Sequence, residues 1–341
     1  MSSTQGGTMN NKSHTHKRLF SRENYLAPPA ISTGQPPKDV LNTIWRKNDV
    51  YLDIGEYSIG SAVMVIWPVL MLSLLIGWYT VEGWDLLYWG GVSGICGIPI
   101  LLTLYGLTQP VPPPTRFNRQ RREVCVPQKD GSYWIVPWEQ VEAQAVAMDS
   151  IGQHGKTTQG LLVVGFTNPD QNADEVDKHY SIGFSCGGGT TAMRLWECMR
   201  SYMEIGPDAV SDNTHRFNRS KGIWATYMDD VIEAGNRKGW FLALLWEGFC
   251  GLIVFNTLLI DLIERKKLSP PPDLTDPAII EWSKPLPLDQ WAKRSPELEQ
   301  AIADREIELA EERAIKEAAE AAARAALPPD PRPAKSNWPT D

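Results

Sequence analysis

The pentapeptide GFSCG, Gly183 to Gly187, has the spacing of a nucleophile elbow. In that motif a serine on a tight strand-to-helix turn attacks an acyl carbon, so Ser185 is the catalytic candidate. Such a serine needs a downstream acid and then a histidine base. The one later histidine is His215, inside a basic stretch. The plainer account is a strand end followed by a helix start, with Thr190 or Thr191 as the cap. Two other stretches imitate ligand loops. GQHGKTT, Gly152 to Thr158, has Ser150 where a phosphate loop needs its first glycine. DQNADEVD, Asp170 to Asp177, alternates acids like a calcium loop. It puts Glu175 at the turn glycine and Ser181 at the bidentate glutamate. The five Cys and five His show no ligand spacing, so no metal and no cofactor are expected. That cysteine usage fits a reducing compartment.

The tetrapeptide RFNR occurs twice, at Arg116–Arg119 and at Arg216–Arg219, and the flanking residues diverge at once. No duplicated unit is visible. With a net charge of −8, nucleic acid is a poor partner. Arg116, Phe117, Arg119, Arg121 and Arg122, and in the second copy Arg216 and Arg219, read instead as contacts to lipid headgroups. Basic groups at a bilayer surface are each worth about 1 kcal/mol, and Phe117 and Phe217 could dip a ring into the interface. The alternative is a solvated basic turn that only sets topology.

The elements that position these residues are membrane helices. Ile59–Tyr79 and Leu86–Leu107 carry no charge over about 21 and 22 residues. Either run is long enough to cross roughly 30 Å of hydrocarbon as a helix. The connector TVEGWD is short and acidic, whereas arginines crowd the exit at 116–122. Residues 57–108 are therefore expected to form a transmembrane hairpin with both ends cytoplasmic. A third apolar run, 240–263, carries Glu247, Asn256 and Asp261. Its length predicts a third span, which would place everything after Ser269 outside. Glu247 is then an intramembrane polar candidate, facing other helices or protonated.

Residues 116–206 read as a small cytoplasmic α+β module. EVCV and YWIV flank a KDG turn, with Val124, Val126, Tyr133 and Ile135 expected on one side. VEAQAVAM, QGLLVVGFT and KHYSIGFS are further candidate strands. A helix follows, with Met193, Trp196, Met199 and Met203 at helical spacing, closed by Gly206 and Pro207. Residues 220–236 predict an amphipathic helix striped by Trp224, Tyr227, Met228 and Val231, expected to cover the module. Residues 1–45 read as a disordered leader without a signal peptide. Residues 269–295 read as a Pro-rich linker, 296–327 as a charged helix and 328–341 as a disordered tail.

Two motifs carry a resemblance. The strand GSYWIVPWEQV, Gly131 to Val141, after a hairpin and an arginine-rich exit, resembles bacterial membrane proteins with a PH-like module. The exit RFNRQRR, Arg116 to Arg122, is similar to that of an uncharacterised bacterial family, often encoded near type VI secretion toxin genes. The resemblance covers roughly residues 45–265 and implies a multi-pass bacterial inner-membrane protein. It brings no site residues. The expected class is an α+β membrane protein, and the expected function is non-enzymatic binding of the bilayer and of a protein partner. Through the resemblance, that partner would be a toxin or secretion component and the chain an immunity or accessory protein. The alternatives are a membrane-bound serine hydrolase acting on lipids through Ser185, and a structural scaffold of a secretion or envelope complex.

Overall fold

The computed structural model describes residues 15–17, 21–26, 31–57, 59–80, 85–152, 155–170, 172–174, 177–187, 190–212, 214–217 and 221–326. Two antiparallel five-stranded sheets and one helix enclose the main core. One sheet is a meander of β3 (Ile44–Lys47), β4 (Tyr51–Ile54), β5 (Thr115–Asn118), β6 (Glu123–Pro127) and β7 (Tyr133–Pro137). The other has the order β1-β2-β8-β9-β10 and comprises β1 (Thr15–Lys17), β2 (Ser21–Leu26), β8 (Glu142–Gly152), β9 (Gly155–Thr167) and β10 (His179–Cys186). The expectation of an unstructured leader over residues 1–45 is thus corrected for 15–17, 21–26 and 44–45. Residues 21–26 pair along β8 and cover an edge that would otherwise present unpaired backbone groups.

The β6–β7 turn forms where the Asp-Gly signal falls, but the expected facing is corrected. Val124 and Val126 turn to the core with Val136. Tyr133 and Ile135 turn to the opposite face, beside Cys125. In the register, Cys125 lies opposite Ile135 and Val126 opposite Trp134, so the two expected pairs belong to different faces.

Between β4 and β5 the chain leaves the module as two apolar helices, α1 (Ile59–Thr80) and α2 (Leu86–Thr108). Both are long and apolar enough to cross a membrane. Their outer faces expose Leu72, Leu75, Trp78, Ile95 and Leu101, as a helix in lipid would. On return, β5 pairs with β4, with Arg116 opposite Asp53 and Thr115 opposite Ile54. The two ends of this excursion are therefore neighbours in one sheet.

Helix α3 (Thr191–Glu204) closes the core. Trp196, Met199 and Met203 are buried on it, and Trp196 stacks on Trp138 at 5.5 Å between ring centres. A second excursion follows: α4 (Ile223–Lys238), α5 (Trp240–Val254) and α6 (Thr257–Leu268). The run 240–263, expected to be a third span, is broken in two. α5 and α6 meet at a bend of 69°, and Asn256, at φ 50°, caps α6 by accepting from the Leu259 amide. Helix α4 packs against α5 and α6 instead of covering the module, with the Tyr227 hydroxyl donating to the carbonyls of Glu247 and Gly248.

The second excursion also comes home. Phe217 before it and Leu268 at its end are buried together against Trp45. Tyr57 and Val111, which flank the first excursion, pack on the same cluster. The chain then runs over the outer face of β5–β7 as a strap, residues 269–295, that includes the short helix α7 (Pro277–Trp282). It ends in α8 (Pro296–Ala326), whose Leu309 is buried and lies where a side chain on Gly34 would stand. The reading of 269–295 as a plain linker is corrected by this packing. Residues of the strap reach back to the first sheet, where Arg46 and Arg116 hold Pro271, Pro272 and Asp273.

Candidate functional site

The first RFNR does not face lipid. Phe117 is fully buried and Arg116 is 3 % exposed. Arg116 sits on a central strand whose neighbour supplies Asp53, and it grips that carboxylate with Nε and Nη2 at 2.6 and 2.8 Å. Nη2 also reaches Asp273 at 2.7 Å and Nη1 donates to the Ser283 hydroxyl at 2.9 Å, both on the strap. Arg46 donates to Asp53 and to the carbonyls of Pro271 and Pro272. Burial alone would weaken the charge on Arg116. The paired carboxylates outweigh it and hold the guanidinium firmly protonated.

Arg122 forms a second latch. It donates to both oxygens of Glu204, at 3.1 and 2.8 Å, and to Glu139. Arg294 of the strap and the Trp138 indole also donate to Glu204, at 2.6 and 2.7 Å. Burial pushes the Glu204 carboxyl up, but these donors together bring it below its ordinary value. Between the latches, Arg121 and Asn118 donate to the Trp282 carbonyl. Arg119 donates to the Ile205 carbonyl, with the Trp291 ring 5.3 Å away. Residues 116–122 thus form the seat of the strap, and the expected headgroup contacts at Arg116, Phe117 and Arg122 are corrected. An arginine that is buried and already paired with two carboxylates is closed to a phosphate. In the second copy, Phe217 is buried against Trp45. The Arg216 side chain and Arg219 lie outside the described residues.

Ser185 is exposed near the end of β10, opposite Leu161 in an antiparallel ladder. A nucleophile elbow sits on a strand-to-helix turn, which this ladder position does not provide. His179 lies six residues back along the same strand, about 20 Å away. The His215 side chain lies outside the described residues. Among the described residues no cluster of His, Cys, Asp or Glu could hold a metal.

Two cavities of about 450 Å³ lie among the helices. The first, between α4 and the bent pair, is lined by Thr226, Tyr227, Asp230, Trp246, Glu247 and Asp261. Glu247 binds Lys238 through one oxygen at 2.8 Å, while Oε2 has no partner. Asp261 is held by Arg265, which also donates to Thr226. Glu247 is therefore partly satisfied from the C-terminal end of α4. The second cavity is a groove between α1, α2 and α6. Its walls are apolar except for Thr103 and, at one end, Lys266 and Lys267. Sequence reasoning missed Asp53, Glu204 and the strap altogether. Their partners are remote in the chain, and no local pattern marks them. No family model, curated protein or solved structure matches the chain, so the activity rests on its own geometry.

Proposed function

We propose that this is a non-enzymatic membrane binding protein. Its hairpin crosses the bacterial inner membrane, while the bent pair α5–α6 enters and returns as a re-entrant loop. The two sheets and α3 form a PH-like module held against the cytoplasmic leaflet. Helix α8 is the arm that meets a protein partner. One observation supports this reading above others: the chain entering and leaving both excursions packs on the single apolar cluster at Trp45. That arrangement holds the module at the membrane surface and keeps every later residue on its side.

The arm has the chemistry for a basic partner. Residues 296–326 carry nine acids against four bases, and Ile307 and Ile315 stand exposed. Its N-terminal half is fixed to the module, since Arg305 donates to the Ser32 carbonyl. On the resemblance carried by RFNRQRR, the partner is a type VI secretion toxin or component, and the chain is its immunity or accessory protein. Co-expression with the toxin encoded beside it should restore growth and co-purify the toxin in detergent, and Ile307→Glu with Ile315→Glu should abolish both. A toxin that neither co-purifies nor loses potency would remove this function.

A further inference from the structure

The sequence placed lipid headgroups on the RFNR arginines, yet Arg116 is buried under the strap and Arg119 is turned to the Ile205 carbonyl. Two other cations among the described residues, neither paired with an acid, suit the task. Lys266 and Lys267 line one end of the groove between α1, α2 and α6. Lys267 Nζ donates to the carbonyl of Gln109, the residue that ends α2, at 3.0 Å. This fixes the ammonium at the level where the chain leaves the membrane. One of its three donors is used, and two remain. Lys266 is exposed and pairs with no acid among the described residues. Away from the lysines, the groove is walled by Val63, Ile66, Trp67, Leu104 and Leu262. The Trp67 indole donates to the Ile253 carbonyl at 2.9 Å, which ties α1 to the bent pair and holds the wall in place.

We infer that this groove binds one anionic phospholipid, with an acyl chain between the three helices and the phosphate on Lys266 and Lys267. The volume, about 450 Å³, is that of a small-molecule pocket. The charge at its mouth and the apolar length behind it match the two halves of such a lipid, as basic pockets between membrane helices do. The inference rests on the membrane reading above but not on the partner.

The test is native mass spectrometry of the full chain released from nanodiscs of equimolar phosphatidylglycerol and phosphatidylcholine with identical acyl chains. Two lysines, each worth about a factor of five near the surface, give an expected preference on the order of thirtyfold for one retained phosphatidylglycerol. Lys266→Gln with Lys267→Gln should bring the ratio to parity. Leu104→Trp, which leaves both lysines intact but plugs the groove, should expel the lipid. Equal retention of the two lipids by the unaltered chain would overturn the inference, as would a preference that survives the double substitution. Displacement by inorganic phosphate would also overturn it, since the site would then be one for a free anion. A chain that retains the lipid but binds no toxin sinks the proposed partner and leaves this inference standing. A chain that never enters the nanodisc overturns both.

Discussion

Two apolar excursions leave the β module and return to it, and they do so by different means. Residues 59–108 hold no Asp, Glu, Lys, Arg or His within either helix, and the two helices are joined by a short connector. Residues 240–268 contain Glu247 and Asp261, and they turn at Asn256 in mid-run. Asparagine tolerates the left-handed conformation better than other non-glycine residues. Its carboxamide then caps a new helix by accepting from the Leu259 amide at 3.3 Å. Continuous apolar length therefore gives a straight helix, and the position of a helix-capping residue within such a run sets where the chain bends. Both returns are locked at the module by charge. The Arg116–Asp53 pair joins the strands on either side of the first excursion, and Arg116–Asp273 fastens the strap that follows the second.

The largest effect should come from breaking the pair common to both returns. Asp53→Ala leaves the Arg116 guanidinium buried with only Asp273 as a counter-ion, at an expected cost of about 3–5 kcal/mol. Thermal unfolding in detergent measures it. The strap should loosen with it, and Cys125 reports that. The Cys125 thiol packs under Leu274, Ile279 and Trp282, and burial pushes it up to about 12. Labelling at Cys125, located by peptide mass spectrometry, should rise severalfold in Asp53→Ala. If stability falls while Cys125 stays protected, the pair serves only the first return.

The second latch ties the strap to Arg122 and α3, and pH can address it. Glu204 has its folded value below the ordinary 4.5. Its stabilisation is fully present above that ordinary value and is lost as pH falls through the lowered folded one. Acidification below pH 4.5 should therefore free the strap at Arg294 first, seen again as Cys125 labelling. Glu204→Gln should remove that acid response while lowering stability at neutral pH.

Within the bent pair, Asn256→Leu forfeits the cap and forces a branched side chain into the left-handed region. The expected cost is about 2–3 kcal/mol. Asn256→Gly should lose only a few tenths, because glycine takes that conformation freely. Equal losses for the two substitutions would show that the bend is set by packing and not by Asn256.

What could be read in advance follows from how local each cause is. The hairpin was legible because its apolar runs are continuous, and β6, β7, β9, β10 and α3 because their periodicity or turn residues are local. The strands before the hairpin were not, since β4 finds its partner across the whole excursion. RFNRQRR was misread for the same reason. Arginines beside a membrane helix suggest lipid, and the acids that claim Arg116 lie 63 and 157 residues away. Glu204, which claims Arg122, lies 82 residues away. The strap reads as a linker because its prolines suggest extended chain. Yet the carbonyls of Pro271 and Pro272 are the acceptors that Arg46 uses.

A more local effect lies beyond both excursions, where α8 docks. Gly34 has φ 78°, and a Cβ built there would stand 2.7 Å from Leu309 Cδ2. Gly34→Ala should cost about 1–2 kcal/mol, mostly from the left-handed backbone, since the leucine methyl can swing aside. The loss should appear as faster proteolysis of α8 with the melting of the helices unchanged. If Gly34→Ala also lowered the melting of the membrane helices, α8 would belong to the same cooperative unit as the two returns, and the contrast between them would extend to the whole chain.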